Sequence, residues 1–417
     1  MRMAIVIAVF MLTLVCSSHG AVWNVPSPQC PTIQSGIDSA AVGDSVLVQP
    51  GEYSENLIMK SGVALIGDGG WAAATINRES TGQPVITCVG MAEGTLISGF
   101  SIENGIHSLG AGIYCEDSSV EITENRFAFN TSGLNGAGLA CLGSGDTEIT
   151  RNDFYFNEAT DWGGGIYCSG SSPLIEGNTF TRCAATYGGA VACVYDAAPH
   201  ILDNIFTDNT AFKQGAAIHT NYGATAVIES NVMVANHAFG GGGAVTCMRS
   251  ALCEFRGNLV YDNTAADCGG VAVAVDAYVK CDGNTFYANS APGTSTTISC
   301  TDGSYMEITN CIIADGTGGL LAELPAVNCW NGGSAGLVCN DFWGNANDYS
   351  GCSAGPNDFY EDPLFCDVET GDFTLEDCSP CLEGYGCGQV GAYGAGCECT
   401  TTATVPTTWG AIKSMYR

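Results

Sequence analysis

The chain has 417 residues, of which 56 are glycine, and only 13% of its residues are charged. Its formal net charge is −31, and this becomes −32 without residues 1–20, which contain Arg2 and no acidic residue. So large a negative charge repels nucleic acid, anionic lipid and polyuronates, and it suits solubility or the binding of cations. The high glycine content and the scarcity of Lys and Arg disfavour a helical fold.

The N-terminal segment has the pattern of a secretory signal peptide. Arg2 precedes an apolar run from Met3 to Val15, and small residues follow as far as Gly20. The apolar run is too short to cross a membrane. We therefore expect residues 1–20 to be removed. The mature chain is expected to have no transmembrane segment and to be secreted or held at the cell surface, in the bacterial envelope or outside it.

Residues 21–96 are predicted to form an N-terminal cap and the first turns of a repeat structure. Thr32 can cap a short helix that has Ile33, Ile37 and Ala41 on one face. Such a helix would cover the end of a stack of strands, which otherwise exposes unpaired edges and core.

Residues 97–315 repeat a unit of 26 or 27 residues. Each unit has small residues before a short apolar strand, a second strand that ends at an asparagine, and a third strand with an aromatic or aliphatic residue. The anchor asparagines are Asn125, Asn152, Asn178, Asn204, Asn231, Asn258 and Asn284. Asn310 and Asn340 continue the series after 26 and 30 residues.

This repeat predicts an all-β solenoid, a parallel β-helix of about ten to twelve turns. A unit of this length cannot bury its own apolar face, but stacked units can. The asparagine suits a tight bend because it tolerates the left-handed conformation, and stacked asparagines can hydrogen-bond along the axis. A β-sandwich is the weaker alternative, since hairpin turns are not regularly placed. One buried column should contain Ile113, Leu139, Ile166, Val191, Ile218, Val245 and Ile298.

The cysteines fall into two groups. The first group occupies one site of the repeat: Cys115, Cys141, Cys168, Cys193, Cys247 and Cys300, with Thr220 and Ala274 at that site in the other turns. Two interpretations stay open, a column of small buried side chains or vertical disulfides between turns. The second group lies in residues 316–399, the cysteine-rich C-terminal turns. Disulfides are expected there; a zinc site at Cys378 and Cys381 is a weaker alternative because no histidine pair accompanies them.

Residues 400–417 are predicted to be a linker and a tail. The linker is rich in threonine, and Trp409 to Arg417 could form a short helix on meeting a partner. A surface-sorting signal is one hypothesis for this tail, and a frayed end without function is the other.

The motifs resemble those of the right-handed parallel β-helix proteins of the pectin lyase-like superfamily, over about residues 30–390. The repeats are similar to polymorphic outer membrane protein repeats, which share a Gly-Gly-Ala-Ile pattern and a Phe-x-x-Asn pattern. The first pattern is matched at 188–191 and 242–245, and the second at 127–130, 154–157, 206–209 and 286–289. The resemblance implies a right-handed solenoid and leaves the activity open.

The resemblance also implies where an active site would lie, on the outer side of the first strand of each turn. Aligning the turns by their glycines gives this row: Tyr114, Ala140, Tyr167, Ala192, His219, Thr246, Val273 and Ser299. The row has no carboxylate, whereas a glycosidase needs two. His219 is expected to be an ordinary surface residue. No catalytic residue is therefore assigned.

A binding surface is the better supported site. Aromatic residues come just before the first strand in four successive turns: Trp162, Tyr187, Phe212 and Phe239. Because stacked strands lie about 4.8 Å apart, these rings could form a ribbon for sugar rings or a protein partner. Alternatively, the rings pack into the corners of the solenoid.

Cofactors are not expected, although calcium between turns is conceivable at carboxylates that otherwise belong to solvated loops: Asp203, Asp208, Asp262 and Asp282.

Two functions are compatible with these features. The first is a non-catalytic secreted or cell-surface protein for adhesion, envelope structure or carbohydrate binding, with carbohydrate or a cell-surface protein as its partner. The alternative is a carbohydrate-active enzyme, a polysaccharide lyase or a glycoside hydrolase. The first explains the row without carboxylates and the short, even loops.

Overall fold

The computed structural model describes residues 20–78, 80, 82–316 and 324–399. The expected signal peptide, except for Gly20, and the expected linker and tail at 400–417 lie outside these residues. The described chain is a right-handed parallel β-helix of about 12 turns, as predicted. No helix among the described residues is both long and apolar enough to cross a membrane.

Four parallel sheets run along the solenoid, and a complete turn passes through sheets A, B, D and C in that order. Sheet A contains Val22–Val25, Ser45–Val48, Ala64–Gly67, Thr95–Ser98, Val120–Thr123, Glu148–Thr150, Leu174–Glu176, His200–Leu202, Thr225–Glu229, Leu252–Arg256, Tyr278–Asp282, Tyr305–Thr309 and Ser334–Val338. Sheet B contains Gly51–Ser54, Ala74–Asn77, Ser101–Glu103, Arg126–Ala128, Asp153–Tyr155, Thr179–Thr181, Ile205–Thr207, Val232–Val234, Leu259–Tyr261, Thr285–Tyr287, Ile312–Ala314 and Asp341–Trp343. Sheet C contains Leu57–Ile58, Ile86–Val89, Ile113–Glu116, Leu139–Leu142, Ile166–Ser169, Val191–Val194, Ile218–Thr220, Val245–Met248, Val271–Ala274, Ile298–Cys300, Pro325–Cys329 and Asn347–Ser350. The shorter sheet D contains Ile106–Leu109, Thr131–Asn135, Glu158–Ala159, Ala184–Tyr187, Thr210–Gln214, His237–Ala238 and Thr264–Ala265.

The N-terminal cap is an α-helix, Ile33–Ser39. Thr32 begins it with a reciprocal cap: its hydroxyl accepts from the Ser35 backbone N–H, and the Ser35 hydroxyl accepts from the Thr32 N–H. The Glu55 carboxylate accepts two further free N–H groups of the first turn at 2.8 and 2.9 Å. The predicted helix is confirmed, but Ala41 lies beyond its end and is exposed.

Apolar residues of each turn meet in one continuous core. The predicted isoleucine, leucine and valine column in sheet C is confirmed, and Val271 completes it between Val245 and Ile298. In sheet B, four fully buried phenylalanines stack with their ring centroids 4.6–4.8 Å apart: Phe127, Phe154, Phe180 and Phe206. Burying a side chain of this kind contributes roughly 1.5–3 kcal/mol.

The anchor asparagines form a buried ladder between sheets A and B. The Asn204 Oδ1 accepts from the backbone N–H and from Nδ2 of Asn178, at 2.9 and 3.0 Å, and the pattern repeats in the neighbouring turns. The assignment of Asn310 to this ladder was wrong. The side chain at the ladder site is that of Cys311, which accepts from the Asn284 N–H, and Asn340 follows it.

The prediction that the asparagine itself takes the left-handed conformation was wrong. The left-handed residue lies one position before each ladder asparagine. Residues with positive φ there include Arg151, Asp203 and Asn310, and glycine occupies the site in other turns, as at Gly177. The role of the asparagine is instead to hydrogen-bond buried backbone groups, which would be costly to leave unpaired.

The cysteine column is a stack of buried free thiols in sheet C. The register confirms the predicted members and extends the column to Cys88 and Cys329. Val273, not Ala274, occupies the site between Cys247 and Cys300.

The C-terminal segment folds back over the outer side of sheet B. It contains a three-stranded sheet E, Phe365–Asp367, Asp372–Glu376 and Ala395–Cys397, and three short 3-10 helices, Val368–Thr370, Pro380–Leu382 and Gly384–Gly386. The expected disulfides are Cys339–Cys387, Cys366–Cys397 and Cys378–Cys399. The zinc alternative was wrong, because Cys378 is in a disulfide and the Cys381 thiol donates to the Asp341 carboxylate at 3.2 Å.

Candidate functional site

Four aromatic rings meet above the outer face of sheet C, and we call them the aromatic shelf: Trp162, Tyr187, Tyr195 and Tyr222. The Trp162 and Tyr187 rings stack at 4.5 Å, and the Tyr195 and Tyr222 rings stack at 5.0 Å. Trp162 and Tyr222 connect the two pairs at 6.3 Å. Tyr195 and Tyr222 are 54% and 39% exposed, so the shelf is open to a ligand.

The two pairs of rings come from opposite ends of the strands of sheet C. Trp162 and Tyr187 lie in register just before the bends at Gly163 and Gly188, where the chain enters sheet C. Tyr195 and Tyr222 lie just after strands of sheet C. Because the same solenoid position recurs in each turn, the rings on each side stack along the axis.

His219 lies underneath the shelf and is fully buried. Its ring centroid is 5.2 Å from that of Trp162 and 5.4 Å from that of Tyr187, and its Nε2 is 3.1 Å from the Asn221 amide nitrogen. Burial, and secondarily the charge of Arg249, lowers the pKa of His219 to about 3. The expectation of an exposed His219 was therefore wrong: a neutral buried imidazole supports the shelf, and a general base would need a pKa nearer the working pH.

Two cations border the shelf. The Lys213 ammonium is 5.2 Å from the centre of the Tyr187 ring and donates to its hydroxyl at 3.1 Å. The Arg249 guanidinium is 5.1 Å from the centre of the Tyr222 ring. Each position is within the range of a cation–π contact, and so the two cations hold the tyrosines in place and offer donors beside them.

The four predicted aromatic residues do not form one ribbon. Phe212 and Phe239 are a separate exposed pair on sheet D, with ring centroids 6.2 Å apart. The register explains the separation: Phe212 directly follows Ala211, the partner of Ala185, whereas the partner of Tyr187 is Gln214.

Four residues of this site were not predicted from the sequence: Tyr195, Tyr222, Lys213 and Arg249. Tyr195 and Tyr222 are separated by 27 residues, one repeat, and this spacing could have identified them.

The outer row of sheet C has no carboxylate at the sites in register with His219, from Thr87 to Asn328. One predicted member changes: Ala272, not Val273, lies between Thr246 and Ser299. Glu116, at the next outward site, accepts from the Tyr114 hydroxyl at 2.9 Å.

The aspartates considered for calcium lie at different bends. Asp208 pairs with Arg182 at 3.6 Å, and Asp282 accepts from Thr309 and Asn310. Among the described residues, the three side chains close enough to share a metal ion are Glu376, Cys378 and Cys399. Since the two cysteines form a disulfide, they offer no thiolate ligands.

The family comparison agrees with the fold. Residues 86–260 match the family described as the right handed beta helix region. The A-module of the mannuronan C-5 epimerase AlgE6 from Azotobacter vinelandii aligns with 79% of this chain and 93% of its own, at 14% identity and a TM-score of 0.28. A search of curated proteins found no match. The parallel sheets and the match over residues 86–260 define the fold as a right-handed parallel β-helix. The similarity of the repeats to polymorphic outer membrane protein repeats stays a prediction.

Proposed function

We propose that this chain is a secreted or cell-surface β-helix protein that binds carbohydrate on the aromatic shelf without cleaving it. The observation that carries the proposal is the convergence of four aromatic rings and two cations over one face of the solenoid. Flat rings offer an apolar surface to the C–H face of a sugar ring, and the bordering tyrosine hydroxyls and cations can hydrogen-bond its hydroxyl groups.

The chemistry around the shelf supports binding rather than cleavage. His219 is neutral and enclosed, and the row in register with it has no carboxylate from Thr87 to Asn328. Glycoside cleavage uses a pair of carboxylates that flank the bond. We therefore expect a soluble or surface-held binding module, and the negative net charge favours neutral glycans over polyuronates.

The test is a calorimetric titration of the purified protein with a panel of neutral and acidic polysaccharides, which measures the affinity for each. Tyr187→Ala should weaken binding about tenfold, because it removes a stacking surface and a hydroxyl worth on the order of 1.4 kcal/mol together. Phe212→Ala, on the separate pair, is the matched control and should bind like the unchanged protein. Equal losses in the two variants, or no binding to any glycan, would contradict the proposal.

The same panel tests the enzyme alternative. Reducing or unsaturated sugar ends should not appear during long incubation, with or without calcium. If they do appear, His219→Ala and Glu116→Gln identify whether the outer face of sheet C is responsible, and loss of turnover with folding intact would favour an enzyme.

A further inference from the structure

Two buried cysteines approach each other across the bend between sheets C and A. The Sγ atoms of Cys247 and Cys253 are 2.9 Å apart, and both side chains are buried. The residues above and below Cys247 in the cysteine column are Thr220 and Val273, so the column offers it no thiol partner in either adjacent turn. Its closest thiol is therefore in its own turn, six residues further along the chain.

We propose that Cys247 and Cys253 form a fourth disulfide, which joins the two ends of the bend at 248–252. This pairing lies within one turn, unlike the vertical pairing that the repeat spacing suggested. The reaction is a thiol–disulfide exchange with a small-molecule disulfide such as oxidised glutathione. The Cys253 thiolate attacks one sulfur of the reagent, which breaks the reagent's S–S bond and releases the first reduced thiol. The Cys247 thiolate then attacks the Cys253 sulfur of this mixed disulfide, forms the protein disulfide and releases the second reduced thiol.

The surroundings of the pair favour this exchange. The hydrogen bond from Cys247 lowers the pKa of Cys253, and a more available thiolate is the better nucleophile. Thr220 also contacts the Cys253 sulfur at 3.1 Å, so a hydroxyl is available beside the reacting atoms. An oxidising compartment, where disulfides persist, is the one that the expected signal peptide implies.

The bend matters because it carries Arg249, the cation that lies over Tyr222. Arg249 and Ser250 both have positive φ, which is a demanding conformation for residues other than glycine. A disulfide across the ends of the bend would hold this conformation and keep the guanidinium over the shelf. This second step rests on the proposed function, whereas the disulfide itself does not.

Digestion with trypsin tests whether the Cys247–Cys253 disulfide forms. Cleavage after Lys213, Arg249 and Arg256 puts Cys247 in the peptide 214–249 and Cys253 in the peptide 250–256, with one cysteine in each. After alkylation in denaturant without reductant, the two peptides should be recovered as one linked species that separates on reduction. The peptide 257–280 is an internal control, because its one cysteine, Cys268, donates to the Val271 and Thr297 carbonyls and should be alkylated. Recovery of peptides 214–249 and 250–256 as separate alkylated species from protein exposed to oxidised glutathione would overturn the proposal.

The functional test uses a variant with residues that the solenoid already accepts. Cys247→Val with Cys253→Ala places in each site the residue found in an adjacent turn, Val273 and Ala226 respectively. Glycan affinity should fall roughly three- to tenfold, because the bend is then free to move before binding. Cys268→Ala should bind normally. If the linked peptide forms but the double variant binds as well as the unchanged protein, the positioning of Arg249 is refuted; if no glycan binds at all, the proposed function fails and the peptide map alone decides the disulfide.

Discussion

The Asn204→Ala variant should lose a large part of its stability, although Asn204 touches no part of the shelf. The Asn204 amide accepts from the Asn178 backbone N–H at 2.9 Å and from Asn178 Nδ2 at 3.0 Å. It donates to the Ile175 carbonyl at 2.8 Å and to Asn231 Oδ1 at 3.0 Å. All four bonds lie inside the solenoid, where no solvent replaces them.

The size of the stability loss follows from the hydrogen bonds that Asn204→Ala removes. The Asn178 N–H loses its acceptor, and a buried orphan group of this kind costs roughly 1–3 kcal/mol. The other three lost bonds contribute roughly 0.5–1.5 kcal/mol each, so the free energy of unfolding should fall by about 2.5 to 7.5 kcal/mol. Asn204→Cys should lower the free energy of unfolding less than Asn204→Ala does. At the equivalent site of another turn the Cys311 sulfur accepts from the Asn284 N–H, at 3.4 Å.

Urea unfolding followed by circular dichroism measures this loss. The control is Asn310→Gly, an asparagine outside the ladder whose bend position is held by glycine in other turns, for example Gly283. Its midpoint should stay close to that of the unchanged protein. If Asn204→Ala lowers the midpoint no more than Asn310→Gly does, the ladder does not stabilise the solenoid as argued.

Three further predictions concern single positions. Cys183→Asn should raise the free energy of unfolding by about 1–2 kcal/mol, because sulfur contacts of 4.0 Å with the Asn157 amide nitrogen and 3.5 Å with the Phe154 carbonyl oxygen become amide hydrogen bonds. A lower urea midpoint than that of the unchanged protein would contradict this. Burial raises the pKa of Asp341 from 3.8 to about 7, so the contribution of Asp341 to stability should be greatest below pH 4 and fall by up to roughly 4 kcal/mol as the pH rises to 7. Asp341→Asn should remove this contribution from the pH dependence in urea titrations at several pH values, and an unchanged pH dependence would refute it. Tyr222→Gly should keep or raise the melting temperature, because it relieves about 1–2 kcal/mol of left-handed strain, yet it should weaken glycan binding. Phe156→Gly is the control: it relieves similar strain away from the shelf and should leave glycan binding unchanged.

The sequence predicted the solenoid because the feature that produces it is periodic. A repeat of 26 or 27 residues determines the stacking, and alternation within Ile166–Ser169 determines which side chains point inward. The helix at Ile33–Ser39 was predictable for a local reason, since its cap needs only Thr32 and Ser35.

Some of the errors come from the one-residue difference between turns of 26 and 27. Spacing alone cannot say in which strand the extra residue lies. Asn310 lies 26 residues after Asn284, whereas the ladder site is Cys311, after 27 residues. The error at Phe212 is larger, because Phe212 lies two residues before Gln214, the partner of Tyr187.

The burial of His219 could not have been predicted from its own turn. Its strand places it on the outer face of sheet C, where side chains point away from the core. The rings that cover it belong to Trp162 and Tyr187, two and one turns earlier in the chain. These rings belong to residues more than 30 positions before His219 in the chain. Whether they cover His219 depends on the directions of their side chains at two bends, and the repeat spacing does not predict those directions.

The side chains at the exit of sheet C support a functional interpretation of the shelf. Gly143 and Gly170 occupy this bend in two successive turns, with φ of 69° and 61°. In the next three turns the same site holds Tyr195, Tyr222 and Arg249, with φ between 50° and 52°. Each of these side chains costs about 1–2 kcal/mol relative to glycine in this conformation. The strain alone does not distinguish the shelf, because the same bend also has positive φ in the turns that follow, at Val275, Asp302 and Asn331. What distinguishes the three turns is their side chains: two tyrosine rings stack at 5.0 Å and a guanidinium lies 5.1 Å from one of them, an arrangement that the stacking of the solenoid does not require.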